Sequence, residues 1–356
     1  KEALIEMGNS YAKAGKNEEA IKAFQSFIEK YPQDERIPEA MMNLAWRYRA
    51  IGKWEEEKAA LTALHNRFTE SELGWFALGL MYEDEGLRGN ISGLVKATEA
   101  HLKAASYHGY QGIVALLGAA NCYLFLQRYK EALECAERLL KEYPDAYEEA
   151  AREAEWIVAR CYMGLNYDKE KIIAQFRKII DEFPNTRTAA ASYMEIMAIH
   201  IASGDIALAN RELEEIIKRF KDTYPNVVSM ALARMGSYYF SSGDYEKAIK
   251  YYQRAIEEVP QFGDVALIRV GVCYRMQNKL KEAIQAFQQV LDRYPNSKEC
   301  SRALLLKGQC LYQMGRKEEA IKAFEDILRN YPNSQEAREA KDLVELCRES
   351  AGKEAS

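Results

Sequence analysis

Apolar residues recur three and four positions apart in successive short segments of the chain. In the first segment Leu4, Met7 and Tyr11 share this spacing, and Ala20 and Phe24 repeat it a few residues later. Spacing of this kind places apolar side chains on one face of an α-helix, with polar side chains on the other. The opening residues therefore predict two amphipathic helices joined by a short turn.

The pattern of the first segment returns along the chain. Prolines at 184, 225, 260, 295 and 332 punctuate the sequence. Near the C-terminal end the landmarks Gly8, Gly15, Ala20, Phe24 and Tyr31-Pro32 reappear as Gly308, Gly315, Ala320, Phe324 and Tyr331-Pro332. A period of about 34 residues is typical of a helix-turn-helix array, and proline cannot continue the second helix because it has no N–H to donate.

These landmarks resemble the tetratricopeptide repeat, whose signature is a Leu-Gly-like pair, a Tyr, an Ala, a Phe and a closing Pro. The resemblance is strongest in the run Gly236, Tyr239, Gly243, Ala248, Tyr252, Ala255, Pro260. It implies an all-α fold, a right-handed α-solenoid or superhelix of about nine helix-turn-helix repeats plus a C-terminal capping helix. A lone hairpin is too short to fold by itself, so each repeat must cover its faces with its neighbours.

Some repeats depart from the signature. The second has Glu57 where a small residue is expected, and the sixth has Met197 at the glycine position. The third departs most, and resembles a Sel1-like repeat, a relative with a longer glycine-rich turn between its helices. The residues that carry this second resemblance are Leu78, Gly79, Tyr82, Gly86, Gly89 and Gly93.

The repeat landmarks divide the chain into one continuous solenoid over residues 1–333, followed by a capping helix and a tail. The predicted repeats are 1–36, 37–70, 71–111, 112–147, 148–187, 188–226, 227–261, 262–298 and 299–333. The capping helix is predicted over 334–348 and a polar tail over 349–356. A polar cap protects the last apolar face of an array from solvent.

Charge and hydropathy limit the classes of partner that we expect for this chain. The 356 residues have a net charge of −5 spread over mixed Lys and Glu surfaces, which argues against a nucleic-acid partner. No run approaches 18 apolar residues, so we expect no membrane span. The sequence begins at Lys1 rather than Met, which leaves a removed targeting segment as an open alternative.

No residue pattern predicts catalysis. The glycines of the third repeat are not followed by a lysine placed to hold phosphate, and the four histidines are scattered. His101 and His108 are seven residues apart, about 10 Å along a helix, which is too far for one metal ion without other ligands. We therefore expect no enzyme activity, no cofactor and no metal site.

Four cysteines occupy equivalent places. Cys122, Cys161, Cys273 and Cys310 each follow the small residue of their repeat by two positions. Equivalent positions of stacked repeats lie about 10 Å apart, which is too far for a disulfide. We expect buried free thiols that pack as small apolar side chains, which favours a reducing compartment.

The resemblance also implies where a partner binds, because the first helix of each tetratricopeptide repeat lines a concave groove. The residues expected to face that groove are Met42, Asn43, Trp46, Arg49, Phe76, Asn121, Trp156, Arg234, Arg269, Arg275, Gln309 and Tyr312. Aromatic anchors would dominate the N-terminal half and arginines suited to carboxylates the C-terminal half. In the alternative interpretation Trp46, Phe76 and Trp156 only pack against the next helix.

The function favoured by the sequence is a non-enzymatic scaffold that binds a peptide segment or a partner protein in the groove. The Tyr-Pro-Asn-Ser runs at 294–297 and 331–334 resemble bacterial cell-envelope members of the family, which favours the envelope or periplasm over the cytoplasm. The alternative is a cytoplasmic adaptor, assembly or regulatory factor that acts through both faces of the solenoid or through self-association as a homo-oligomer.

Overall fold

The structure, a computed structural model, describes the backbone of residues 1–354 and the side chains of residues 1–348. Over those residues it contains 19 α-helices, one short 3-10 helix at Pro260–Phe262 and no strand. The helices form successive antiparallel pairs, which we call helix A and helix B of each repeat. The predicted all-helical repeat array is confirmed. The chain divides into two compact units, Lys1–Phe183 and the part from Pro184 onward.

Unit 1 contains five repeats, in which each helix B packs against helix A of the next repeat. Its helices are α1 Glu2–Lys13, α2 Asn17–Lys30, α3 Ile37–Ala50, α4 Trp54–Arg67, α5 Glu72–Leu87, α6 Ile91–Ala105, α7 Tyr110–Phe125, α8 Tyr129–Glu142, α9 Glu148–Gly164 and α10 Lys169–Glu182. Odd-numbered helices are helix A and even-numbered helices are helix B.

Unit 2 contains four repeats stacked in the same way, and a last helix that covers the final repeat. Its helices are α11 Arg187–Ala202, α12 Ile206–Phe220, α13 Pro225–Ser241, α14 Tyr245–Glu258, α15 Gly263–Met276, α16 Leu280–Arg293, α17 Cys300–Gln313, α18 Lys317–Asn330 and α19 Gln335–Glu354.

In several repeats an aromatic ring of helix B packs on a glycine of helix A, and this contact brings the two helices of the hairpin together. A Cβ on Gly8 of α1 would lie 2.7 Å from Cε1 of Phe24 in α2, closer than real atoms pack. Such a Cβ would also overlap the aromatic ring of the paired helix in three later repeats, in the pairs Gly236 and Tyr252, Gly271 and Phe287, and Gly308 and Phe324. These four rings are fully buried. The glycine therefore lets the ring of helix B lie directly on the backbone of helix A.

The sixth repeat shows that a different pair of side chains can occupy the same two positions. Met197 stands at the glycine position and Leu213 at the ring position, and both are fully buried. A larger side chain on helix A is thus accompanied by a smaller one on helix B, as expected where the volume between two packed helices is limited.

In the third repeat the glycines lie mainly within the helices and not in a longer turn. The turn between α5 and α6 is three residues long, Arg88–Asn90, the same length as the first turn of the chain. A Cβ on Gly93 would lie 2.8 Å from the carbonyl oxygen of Tyr82 and 2.9 Å from the backbone nitrogen of Gly86. The glycines therefore allow α5 and α6 to approach backbone to backbone, and the Sel1-like resemblance stays a prediction.

The last helix is longer than the sequence suggested. Ser334 accepts a hydrogen bond from the backbone N–H of Ala337, and α19 then runs to Glu354, beyond the predicted end at 348. The predicted tail over 349–356 is therefore helical as far as residue 354, and its last two residues lie outside the described part of the chain. Ala337, Ala340 and Val344 are buried against the last repeat.

The expected burial of the four equivalent cysteines is confirmed, and none of them forms a disulfide. Burial raises the pKa of Cys122 and of Cys161 to about 12, and the pKa of Cys273 to about 11. These thiols stay protonated at neutral pH, and they pack as small apolar groups.

We predict that Gly308→Ala destabilises the protein by about 1–2 kcal/mol. Alanine has the better helix propensity, by about 1 kcal/mol, but its methyl group would overlap the buried ring of Phe324. The measurement is the urea unfolding midpoint, followed by circular dichroism.

The double variant Gly308→Ala with Phe324→Leu tests whether overlap with the ring of Phe324 causes this loss of stability. The smaller side chain leaves room for the methyl group, so the alanine should then cost little or be stabilising. An equal loss in both backgrounds would show that the ring is not the reason for the glycine.

Candidate functional site

Two residues predicted to line the groove in unit 1 are core residues. Met42 is 6% exposed and Phe76 is 2% exposed. The ring of Phe76 packs 5.8 Å from that of His101, which is itself fully buried between α5 and α7. The placement of Phe76 and Met42 on a binding surface is therefore wrong, because the close packing of these helices encloses both side chains.

Arg49 has two carboxylate partners within unit 1. Its Nε donates to Oε1 of Glu57 at 2.5 Å and its second guanidinium nitrogen to Oδ2 of Asp84 at 2.5 Å, while the guanidinium stacks 4.9 Å from the ring of Trp46. Burial raises the pKa of Glu57 above its ordinary value of 4.5, and the hydrogen bond from Arg49 opposes that rise. Glu57, unexpected at a small-residue position, thus holds Arg49 in place, and the bond of Arg49 to Asp84 joins the second repeat to the third.

The other predicted residues of unit 1 differ in exposure. Asn43 donates to Oδ1 of Asn9 at 3.4 Å, and the half-buried Trp156 packs 5.7 Å from the ring of Phe176. Asn121 is exposed. Trp46 and Trp156 are therefore engaged within the fold, and unit 1 supplies few side chains free to receive a partner.

Helices A of unit 2 are rich in arginine. Helices α13, α15 and α17 carry the four arginines Arg234, Arg269, Arg275 and Arg302 and a single carboxylate, Asp264. That carboxylate accepts a hydrogen bond from the hydroxyl of Ser297 at 2.5 Å. The face formed by these helices, which we call the A face, is therefore cationic although the whole chain is acidic.

A small apolar depression, the anchor pocket, lies on the A face across three repeats. Its volume is about 130 Å³. It is lined by Phe240 of α13, Tyr252 of α14, Val265, Ile268, Arg269 and Val272 of α15, and Arg302 of α17. The pocket thus combines an apolar floor with two guanidinium groups.

Two further pockets continue along the A face toward α19. A pocket of about 370 Å³ shares Arg302 with the anchor pocket and is also lined by Leu305, Leu306 and Gln309 of α17 and by Gln335 and the carboxylates Glu336 and Glu339 of α19. A third, of about 220 Å³, shares Gln309 and is also lined by Arg275, Tyr312 and Leu346. The structure therefore brings the predicted residues Arg269, Arg275, Gln309 and Tyr312 to neighbouring pockets on one face.

The arginines of the A face differ in how they are engaged. Arg275 donates to the side chain of Gln309 at 2.9 Å, Arg234 donates to the carbonyl oxygen of Met194 at 3.2 Å, and Arg302 lies 3.6 Å from a carboxylate oxygen of Glu299. Arg269 is exposed beside the hydroxyl of Tyr252 and pairs with no carboxylate in the described part of the chain. It is therefore the arginine most available to an incoming anion.

Sequence reasoning missed Arg302, Val265 and Ile268. The groove residues are expected at the same positions in every repeat, whereas the anchor pocket crosses the repeats diagonally. It takes Phe240 from late in α13, and Val265 and Arg302 from early in α15 and α17. The scarcity of carboxylates in α13, α15 and α17 was a signal in the sequence that could have drawn attention to Arg302.

The described residues contain no group of three His, Cys, Asp or Glu side chains arranged to hold a metal ion. In the same part of the chain no helix is both long enough and apolar enough to cross a bilayer.

We predict that Arg49→Ala costs about 1–3 kcal/mol of stability at neutral pH, because it leaves buried Glu57 without its hydrogen-bond donor. A carboxyl group with a raised pKa favours folding below its ordinary pKa, and that contribution is lost as the pH rises through the folded-state pKa. The loss in the variant should therefore shrink on acidification, as Glu57 takes up a proton. Urea unfolding at pH 7 and at about pH 4.5 measures both effects.

Arg316→Ala is the matched control, because Arg316 pairs with an exposed partner, Glu319. Removal of an exposed pair should cost about 0.5 kcal/mol or less. An Arg49→Ala loss as small as this, or one that does not change with pH, would show that Glu57 does not depend on Arg49.

Comparison with known proteins agrees with this architecture. One family model described as tetratricopeptide repeat matches residues 199–261, 233–298 and 274–335, and a second with the same description matches residues 2–34, 114–146 and 153–186. Neither matches the second and third repeats, where Glu57 and the glycine-rich helices depart from the signature. No curated protein matches the chain.

Solved structures resemble the chain at low identity. The crystal structure of the C-terminal part of a TPR repeat-containing protein from Cytophaga hutchinsonii is 18% identical, covers 73% of this chain and 98% of its own, and has a TM-score of 0.47. The P58(IPK) TPR domain is 18% identical, covers 98% of each chain and has a TM-score of 0.30. Because tetratricopeptide repeat models together match more than half of its residues, the protein belongs to the tetratricopeptide repeat family.

Proposed function

We propose that the protein is a non-enzymatic scaffold whose A face in unit 2 binds an acidic polypeptide segment of a partner protein. The observation that carries the proposal is the anchor pocket, where an apolar floor meets the guanidinium groups of Arg269 and Arg302. The family supports a protein partner, since tetratricopeptide repeats are typically interaction scaffolds.

The size of the anchor pocket suits one apolar side chain. At about 130 Å³ it is comparable to the apolar cavity of about 150 Å³ that holds benzene in an engineered protein. Ile268 and Val272 supply apolar contact, and a side chain that fills such a depression loses most of its contact with water. We infer that a Leu, Ile, Met or Phe of the partner occupies it.

The positive charge of the helices that form the A face supports a partner segment with carboxylates beside its apolar residue. Arg269 pairs with no carboxylate in the described part of the chain, and the exposed guanidinium of Arg302 lies 3.6 Å from the half-buried Glu299, too far for a hydrogen bond, so both arginines keep donors for an anion. A guanidinium group can donate two parallel hydrogen bonds to one carboxylate. The partner segment therefore carries Asp or Glu on one or both sides of its apolar residue.

The remaining parts of the functional hypothesis rest on sequence alone. Location in the bacterial cell envelope is supported by the Tyr-Pro-Asn-Ser runs, and the cytoplasmic adaptor and self-association alternatives stay predictions with it. The absence of enzyme activity stays a prediction as well.

The test is selection from a displayed library of random dodecapeptides on the purified protein. Bound peptides should be enriched in an apolar residue flanked by Asp or Glu, and their affinity should fall as salt is raised. Arg269→Glu with Arg302→Glu should weaken a selected peptide at least about a hundredfold, since each charged hydrogen bond contributes about 1.5–3 kcal/mol.

Arg329→Glu is the control, since it makes one such charge reversal on α18 away from the three pockets of the A face. It should leave the affinity unchanged. Enrichment of basic peptides, or equal weakening by the control and the double variant, would refute the proposed site.

A further inference from the structure

A second, larger cavity lies on the side of unit 2 formed by helices B. It has a volume of about 520 Å³ and lies between α14, α15 and α16. The buried side chains of Leu267, Val270 and Ala286 form part of its floor, and the exposed side chains of Gln253 and Gln289 form part of its rim. None of these residues lines the A face.

The preceding repeat shows what fills the corresponding place. There Tyr251 of α14 lies over α13, with its ring stacked on that of Tyr239 at a centroid distance of 5.4 Å and an interplanar angle of 12°. Its hydroxyl donates to Oδ1 of Asn210 in α12 at 2.6 Å. A tyrosine ring thus occupies the space between two successive helices B.

In the next repeat this ring is missing because the side chain is short. Ala286 immediately precedes Phe287, which packs on the glycine of its hairpin, just as Tyr251 immediately precedes Tyr252. Ala286 is therefore the counterpart of Tyr251 and leaves the space of a phenol ring empty.

The surface on which the ring would stack is still present. Tyr274 follows Gly271 by three positions, as Tyr239 follows Gly236, and it lines the cavity. Tyr239 has Tyr251 against its face, whereas Tyr274 has no stacked ring in the described part of the chain.

The rim of the cavity is also less closed than the corresponding region of the preceding repeat. In the preceding repeat Arg254 of α14 bridges to Glu214 of α12, with guanidinium to carboxylate distances of 2.5 and 2.7 Å. By position relative to the buried rings, the counterparts of this pair are Gln289 and Gln253. Within the described residues these two amides make no side-chain hydrogen bond. An ion pair therefore borders the site in the preceding repeat, and two amides with free donors and acceptors border the cavity.

One repeat further on, Ala323 stands in the place of Ala286, and a polar contact links the neighbouring helices. Lys307 of α17 stands where Val270 stands in α15, and its ammonium group donates to the side chain of Gln288 in α16 at 2.7 Å. In the described part of the chain the cavity thus lies at the junction that neither a tyrosine ring nor this polar contact crosses, which we call the open junction.

We propose that the open junction is a binding site for an aromatic side chain, tyrosine or phenylalanine, carried by a polypeptide segment. The ring would stack on Tyr274 over Ala286, as Tyr251 stacks on Tyr239. The cavity is much larger than one ring, so part of the segment on either side lies within it.

The glutamines of the rim identify the segment as polypeptide. A glutamine amide both donates and accepts hydrogen bonds, which matches the alternating N–H and C=O groups of an extended main chain. The charged residues around the cavity, Glu257, Glu282 and Arg293, are of mixed sign, so this site has no preference for a strongly charged ligand. It is thus distinct in chemistry from the A face.

The experiment uses blocked pentapeptides with a central tyrosine or a central alanine between glycines, observed by saturation-transfer NMR on the full chain. We expect transfer to the tyrosine ring and none to the alanine peptide. Ala286→Tyr should fill the site as Tyr251 does, keep the helical content and melting temperature, and weaken binding at least about tenfold. Leu311 occupies the position of Tyr274 in the last repeat. Tyr274→Leu should therefore weaken binding without unfolding the protein.

Two further arms separate this site from the alternatives. The A-face variant Arg269→Glu with Arg302→Glu should bind the tyrosine peptide normally, so failure of one proposal does not affect the other. Removal of both amides by Gln253→Ala with Gln289→Ala should weaken the peptide but not p-cresol. No transfer to the tyrosine peptide, unchanged transfer in a folded Ala286→Tyr variant, or p-cresol binding as tightly as the peptide would overturn the proposal.

Discussion

In four repeats an aromatic ring of helix B packs directly on a glycine of helix A, and this contact, which we call the seat, determines how the two helices meet. Because Phe287 lies directly on Gly271, α15 is held at one distance and one rotation relative to α16. A helix fixed in rotation must present one row of side chains to each side of the array. On α15 one row includes Arg269 and lines the A face, and the other includes Tyr274 and lines the cavity between helices B.

Variation around that seat gives the repeats different properties, and in the sixth repeat the seat itself varies. Met197 and Leu213 exchange large and small residues within the seat itself. Glu57 in unit 1 is tolerated because Arg49 satisfies it, and the result is a closed polar network instead of a binding surface. In unit 2 the shortening of one residue, Ala286, leaves the helices in place and opens a cavity. Hairpins of the same fold thus present different surfaces through single side chains outside the seat.

The repeat landmarks were sufficient to predict helix order, the buried thiols and the cationic character of the later helices A. They were not sufficient to place Phe76, whose ring packs on His101 where that side chain lies on Gly79 of α5. Arg302 was missed because the pocket it lines depends on the offset between successive repeats, which spacing within one repeat does not contain. The open junction at Ala286 could be recognised only by asking which side chain is missing relative to Tyr251.

Hydrogen exchange of Phe287→Ala tests the dependence of both surfaces on this seat most directly. Removal of the ring leaves α15 without its fixed rotation, so the account predicts faster exchange along the whole of α15 and α16, including the segments that carry Arg269 and Tyr274. Exchange that rises only in the turn of α16 around residue 287, with α15 as protected as before, would contradict it.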